Sequence, residues 1–354
     1  MRRLKIAQVA PLYESVPPKL YGGTERVVSY LTEELVSLGH DVTLFASGDS
    51  RTSARLVPCS EQSLRLDPRC EDPLAHHIAM LQRIIDESDA FDLIHFHIDY
   101  LHFPLSRLIR LPQITTLHGK LTINDLRQLY RVYADMPLVS ISREQRRPLS
   151  DVNWVGNVYH GLPSDLLTPT YNDGTYLAFL GRISPEKGVE QAIDIAVEAG
   201  LPLKIAAKID KSDREYYESV VRKKMEHPLV EYIGEINEKD KREFLGNAMA
   251  LLFPINWPEP FGLVMIEAMA CGTPVVAYER GSVPEILEHG VNAFIVNNKE
   301  EAVRAVRNIG ILERQECRRV FEERFTATRM AQDYLKVYLT QLETEKGLFN
   351  LQMA

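Results

Sequence analysis

Two carboxylates stand eight positions apart in the run Trp257-Pro258-Glu259-Pro260-Phe261-Gly262-Leu263-Val264-Met265-Ile266-Glu267, which leaves through Ala268-Met269-Ala270-Cys271-Gly272-Thr273-Pro274. Glu259 falls in a Pro-rich turn, and Glu267 falls inside the helix predicted over residues 263–270. Gly262 sits near the first turn of that helix, where unpaired amides and the positive end of the dipole favour an anion. One short segment therefore offers a phosphate site and two acceptors for hydroxyls, a combination that suits a nucleotide sugar. The plainer alternative is an amphipathic helix with Glu259 on the surface and Glu267 in a capping role.

A second cluster is cationic. In Gly181-Arg182-Ile183-Ser184-Pro185-Glu186-Lys187-Gly188, Arg182 and Lys187 lie five positions apart with turn formers between them. Arg can grip phosphate oxygens in a bidentate way, and Lys adds a compact charge. The string follows a predicted strand, and ligands of open α/β sheets bind at the C-terminal ends of strands. The plainer alternative is an ordinary solvated basic turn; together the two are expected to form a clamp for a diphosphate leaving group. Fixed cations stabilise the charge of that group more in the transition state than in the ground state. The sequence holds no Asp-x-Asp pair to present a divalent cation, so no metal and no cofactor are expected.

Further candidates lie in the first half. Gly22-Gly23-Thr24-Glu25 precedes a helical pattern, and its glycines let the backbone approach an anion closely. It is not G-x-G-x-x-G, so dinucleotide binding is disfavoured. His118 ends a strand pattern in Thr115-Thr116-Leu117-His118-Gly119. His95, His97 and His102 lie around Asp99. No second group of ligands has metal spacing, so these residues either line an acceptor site, with His97 and Asp99 as its candidates, or are structural. Arg143, Arg146 and Arg147 read as a solvated helix face or as a contact for an anionic acceptor or lipid headgroup.

Alternating patterns must position these residues. Strands are predicted at 6–10, 41–46, 93–96, 114–117, 138–140 and 153–158, with helices at 27–38, 74–89 and 123–133. The second half repeats the pattern, with strands at 176–180, 203–206, 230–233, 250–253, 274–277 and 293–296. Its helices are predicted at 189–199, 214–226, 239–247, 263–270 and 300–308. Two doubly wound α/β domains follow. Residues 163–174, rich in Pro, Asp, Thr and Gly, are the linker candidate. A helix at 328–343 has no strand after it, and the tail from 346 to 354 is expected to fray. The strand turn at Gly234 to Ile236 either reads a base edge through its backbone or is a plain Gly turn; Lys208 and Asp210 are similarly placed.

The paired glutamates, the Gly-Arg-x-x-x-x-Lys-Gly string, the Gly-Gly loop, His118 and the exit Gly281-Ser282-Val283-Pro284-Glu285 together resemble the retaining family-4 glycosyltransferases. The resemblance spans nearly the whole chain. It implies the GT-B fold: two Rossmann-like domains, 1–162 on the acceptor side and 163–327 binding the nucleotide sugar, facing across a cleft. A C-terminal helix, 328–354, would cross back to the first domain. It implies transfer of a hexose from a nucleoside diphosphate sugar, UDP-glucose by preference, to a hydroxyl of a sugar, glycolipid or small molecule with retained configuration. Catalytic roles then fall to His118, Glu259, Arg182 and Lys187. Donor binding falls to Gly23, Arg182, Lys187, Gly234, Ile236, Glu259, Phe261, Gly262, Leu263, Val264 and Glu267. Other readings are a sugar-nucleotide epimerase, a phosphorylase, or a silent nucleotide-sugar-binding subunit.

Composition sets the outer bounds. The 354 residues are 45% hydrophobic and 25% charged, which reads as a globular chain with room for two cores. A net charge of −8 disfavours nucleic acid as a partner. Four scattered cysteines fit reduced thiols. No stretch reaches the roughly 18 apolar residues of a membrane span. The expectation is a cytoplasmic protein, with peripheral contact at the inner membrane face left open.

Overall fold

The protein is described by a computed structural model. It covers residues 2–19 and 22–352, and for 345–352 the helical backbone alone. The chain forms two compact units: Met1–Gly161 with Ala327–Ala354, and Leu162–Thr326.

The first unit is built on seven parallel strands: β1 (Lys5–Val9), β2 (Asp41–Ser47), β3 (Arg55–Ser60), β4 (Leu93–Phe96), β5 (Gln113–Thr116), β6 (Leu138–Ser140) and β7 (Trp154–Asn157). Their order is β3-β2-β1-β4-β5-β6-β7. The chain winds outward from β1 in both directions, so the switch point lies between β1 and β4. Strand β4 is buried along its whole length, as a parallel strand covered on both faces must be. β3 escapes a reading by pattern because Arg55 and Pro58 interrupt its apolar run. Its place at the sheet edge tolerates a proline. The helix Pro73–Glu87 starts where Asp72 accepts from the amides of Leu74 and Ala75, with proline at its first position.

The chain's last helix, Ala327–Gln352, belongs to this unit and packs on the helix Gly23–Ser37. Its Tyr334 and Tyr338 are fully buried. The helical backbone continues past position 346, where the sequence predicts fraying; residues 353–354 of that tail lie outside the described residues.

The second unit holds six parallel strands: β8 (Tyr176–Arg182), β9 (Leu203–Lys208), β10 (Val230–Gly234), β11 (Ala248–Phe253), β12 (Val275–Tyr278) and β13 (Ala293–Val296). The order is β10-β9-β8-β11-β12-β13. Its switch point falls between β8 and β11, so the loops after those two strands open side by side. The core is aliphatic, drawn from Leu177, Ile193, Ile205, Leu252 and Val303 among others. Between β9 and β10 the predicted single helix is interrupted by a π-helical turn, Tyr217–Val221.

Residues 163–174 are not a free connection. They lie wholly inside the second unit. Thr170 donates to the Cys271 carbonyl at 3.0 Å. Arg318, on the helix Arg314–Arg324, donates to the carbonyls of Ser164 and Leu167 at 2.7 and 2.8 Å. Composition marks a loop correctly, but backbone carbonyls still take donors, and Arg318, with Arg314 donating to the Thr170 carbonyl at 2.7 Å, supplies them. Among the described residues no helix is long and apolar enough to cross a membrane.

Candidate functional site

In the second unit, Lys187 and Glu259 meet at the switch point. Each sits on one of the two loops that open there. Lys187 ends the 3₁₀ turn Pro185–Lys187 after β8. Gly188 follows in the left-handed region, φ 70°, and a β-carbon there would overlap the carbonyl oxygen of Pro254. That close approach seats the β8 loop on the end of β11. Asn256 then donates to the Glu186 carbonyl at 2.9 Å. The Lys187 ammonium and the Glu259 carboxylate are directly ion-paired. Trp257 Nε1 donates to the same carboxylate at 3.0 Å, and its ring lies 5.1 Å from Lys187 Nζ. Glu259 is therefore a buried carboxylate with a cation and an indole N–H fixed on it, not a surface residue. Trp257 was not singled out from sequence; only its neighbourhood to Glu259 hinted at it.

The turn carrying Glu259 is held by the segment after β12. Ser282 donates its amide to the Glu259 carbonyl and its hydroxyl to the Phe261 carbonyl, each at 2.9 Å. Gly281 lies at φ 54°, and a β-carbon there would overlap both the amide nitrogen and the carbonyl oxygen of Glu259. Gly281→Ala is expected to destabilise the second unit by roughly 2–5 kcal/mol, from left-handed strain plus overpacking. Urea unfolding reads this directly, and an unchanged midpoint would show that the turn can move aside.

Gly262 precedes the helix Leu263–Ala270 at φ 78°, where a β-carbon would press on Met265 Cε at 2.8 Å. The first amides of that helix, those of Leu263 and Val264, have no intrahelical carbonyl to reach. Phe261 is buried and stacks edge-on with Phe325, 6.3 Å between centroids. It is a packing residue that anchors the helix start.

Glu267 is also buried, but its partner is neither Arg182 nor Lys187. Lys241, on the helix Glu238–Gly246, holds it at 2.6 Å. Gly234 ends β10 at φ 82°, and Ile236 lies in the short loop before that helix, whose start Asn237 caps. The two base-side candidates therefore introduce the helix whose lysine neutralises the second glutamate. Lys241 was not anticipated, since nothing local in the sequence ties it to Glu267.

Arg182 is surrounded by acids. It pairs directly with Glu186, and it lies 3.8 Å from Asp210 and 3.5 Å from Asp213. Lys208 binds Asp210 at 2.9 Å. Arg182 and Lys187 thus leave β8 toward different partners, Arg182 to this acidic group and Lys187 to Glu259.

In the first unit the histidines form a buried polar chain. His97 Nδ1 lies 2.9 Å from His118 Nε2, and His97 Nε2 lies 2.8 Å from Gln8 Oε1. His95 bridges Tyr338 and Thr116 at 2.8 and 2.7 Å. His102 instead bonds Thr115 at 2.9 Å and stacks on Phe96. The three do not converge as ligands, and the described residues include no cluster of His, Cys, Asp and Glu that could hold a metal. Burial pushes the His118 ring down to about 3, and it holds His95 and His97 well below the ordinary histidine value. All three are neutral at physiological pH. His118 stacks on His160 at 5.3 Å.

Asp99 follows β4 and is the one non-glycine residue with positive φ, 51°, among those described. Such strain persists only where surrounding structure imposes it. Asp99 is an exposed residue, yet desolvation by its surroundings pushes its carboxyl up to about 6.

Gly23 opens the helix Gly23–Ser37. The buried Glu25 carboxylate folds back onto its own amide, and desolvation raises its pKa. A carboxylate thus stands at the helix start where the sequence reading places a phosphate. Arg146 is structural: it donates to Ser140 Oγ at 2.6 Å and to the Gly156 carbonyl, and covers the Trp154 ring. Arg147 pairs with Glu144 at 3.0 Å.

Comparison with known proteins bears on the family and the fold. Residues 168–328 match the family Glycosyl transferases group 1, and residues 21–150 match Glycosyltransferase Family 4. An uncharacterized glycosyltransferase of Methanocaldococcus jannaschii is 25% identical over 346 residues, spanning 84% of this chain and 86% of its own. Among solved structures, AviGT4, a glycosyltransferase involved in avilamycin A biosynthesis, superposes with a TM-score of 0.73 at 24% identity, over 96% of this chain and 98% of its own. HepE of Anabaena, solved with UDP and glucose, gives 0.76 at 16% identity, over 96% and 100%. Two parallel sheets with helices, in these strand orders, have the GT-B fold of those structures. The chain belongs to the family-4 glycosyltransferases.

Proposed function

We propose that this chain is a retaining hexosyltransferase that uses a UDP-glucose-type donor, a hydroxyl acceptor and no divalent metal. The observation that carries this reading is the convergence of Lys187 and Glu259 at the switch point of the second unit. Lys187 has three donors and can serve Glu259 and a phosphate oxygen together. Glu259, fixed by Trp257, keeps acceptor capacity for sugar hydroxyls. Glu267, on the helix that follows and held by Lys241, is the acceptor this reading assigns to ribose hydroxyls. The amides of Leu263 and Val264 are the natural seat for the diphosphate. Assignment of His118 to the donor sugar, and of His97 and Asp99 to the acceptor side, rests on the sequence resemblance. UDP and glucose bound to HepE support a UDP-sugar donor.

In this scheme the bond from anomeric carbon to phosphate oxygen breaks, and the acceptor oxygen bonds to that carbon on the same face. The acceptor's proton passes to the departing phosphate. Lys187 and the helix amides stabilise the charge that develops on the diphosphate. The test is incubation with UDP-, GDP- and ADP-sugars and simple hydroxyl acceptors, with and without EDTA. A transferred α-linked hexose with UDP release undiminished by EDTA is expected. An isomerised donor, an inverted product, or loss of turnover in EDTA each overturns the corresponding part.

A further inference from the structure

A continuous hydrogen-bonded chain in the first unit runs from the helix Ala327–Gln352 to His118, and its donors and acceptors fix where each proton lies. The Gln8 amide offers its nitrogen to Tyr338 Oη at 3.1 Å and its oxygen to His97 Nε2 at 2.8 Å. A carbonyl oxygen only accepts, so His97 carries its proton on Nε2. A neutral imidazole then has its lone pair on Nδ1, which faces His118 Nε2 at 2.9 Å. His118 therefore donates from Nε2, and its Nδ1 is left as a lone pair. On the other side, Tyr338 accepts from Gln8 and gives its proton to His95 Nδ1 at 2.8 Å. His95 Nε2 donates to Thr116 Oγ1 at 2.7 Å, and that hydroxyl meets Tyr334 Oη at 2.9 Å. His118 Nδ1 is buried and has no protein hydrogen-bond partner. It is the end of the chain, and a buried polar atom of this kind calls for a hydrogen-bond partner.

We propose that Gln8, His97 and Tyr338 are positioning residues that fix His118 as its Nε2–H tautomer, so that the Nδ1 lone pair accepts a hydrogen bond from a hydroxyl of the donor sugar. The sugar contact rests on the function proposed above; the tautomer does not. A hydroxyl that donates to Nδ1 gains electron density on its oxygen, and that density counts most when the sugar ring turns cationic. Turning the Gln8 amide over reverses every bond in the chain and leaves His118 presenting an N–H, which cannot serve this role.

The test is long-range nitrogen–proton correlation spectroscopy on the full chain with nitrogen-15-labelled histidine. The expected result is His118 protonated at Nε2 and bare at Nδ1, with the Nδ1 resonance moved by UDP-glucose and not by UDP alone. Tyr338→Phe keeps the packed ring and removes the hydroxyl that orients Gln8. It should yield mixed His118 tautomers and lower kcat roughly 10–100-fold with little change in donor KM, as loss of an orienting partner does elsewhere. Gln8→Leu should do the same. A proton on His118 Nδ1 in the unaltered protein overturns the relay, as does an unchanged tautomer in Tyr338→Phe. A static Nδ1 resonance while UDP-glucose is being consumed overturns the sugar contact alone. Failure of every donor in the panel instead removes the functional reading and leaves the tautomer measurement standing.

Discussion

Lys187→Met is expected to lower kcat by about 10²–10³-fold, the loss seen when one fixed donor to a developing anion is removed. The side chain is the cation that reaches the switch point of the second unit, and it is already held on Glu259. Methionine keeps the aliphatic stem and its contact with the Trp257 ring but removes the charge. Glu259 then loses one of its two fixed partners and retains the Trp257 N–H. Both ends of the ion pair keep some solvent access, at 22% and 11% of their side-chain surface, so the stability loss should stay near roughly 1–2 kcal/mol. The measurement is initial-rate kinetics beside a urea melt. Full turnover in a folded Lys187→Met protein would sink the assigned clamp. Lys187→Arg should recover only part of the rate, because a planar fork does not fill the place of a point charge.

Arg314→Leu is expected to give the largest stability effect, about 3–5 kcal/mol, because it strands several buried acceptors at once. The Arg314 guanidinium donates to the carbonyls of Thr170, Ala248 and Gly246 at 2.7, 2.8 and 2.7 Å, and to Thr273 Oγ1 at 2.9 Å. Those acceptors belong to the loop 163–174, the start of β11, the end of the helix Glu238–Gly246 and the exit of the helix Leu263–Ala270. Leucine can fill the space but offers no N–H. Chemical denaturation should show the second unit unfolding early, with the first unit's transition little changed. A single unshifted transition would mean that water replaces the guanidinium.

The sequence exposes those parts of the protein whose cause is local. The helix Leu263–Ala270 matches its expected bounds, because Gly262 and Gly272 bracket an apolar run broken only by Glu267. The buried parallel strands read well because burial on both faces makes them nearly pure apolar runs. The helix Arg314–Arg324 stays hidden, since its apolar stripe reduces to Cys317, Val320 and Phe321 among charged neighbours. The paired glutamates and the Arg182 string are visible as spacing, but their partners are not. Lys241 lies 26 positions from Glu267, and Tyr338 lies 243 from His95. Such contacts are set by sheet order and helix return, which no window of residues contains. The same gap explains Asp210 and Asp213 beside Arg182: charges that look solvated along the chain are brought together by the fold.

The return of the chain also sets an order of assembly during synthesis. Residues 162–326 form one uninterrupted unit and are complete while the helix Ala327–Gln352 is still to be made. The earlier strands reach the ribosome's exit first, yet Gln8, His95 and Thr116 lack Tyr334 and Tyr338 until the helix Ala327–Gln352 has been made. The part that emerges first therefore matures after the second unit, and its polar centre is closed by a helix made later than every strand of both sheets.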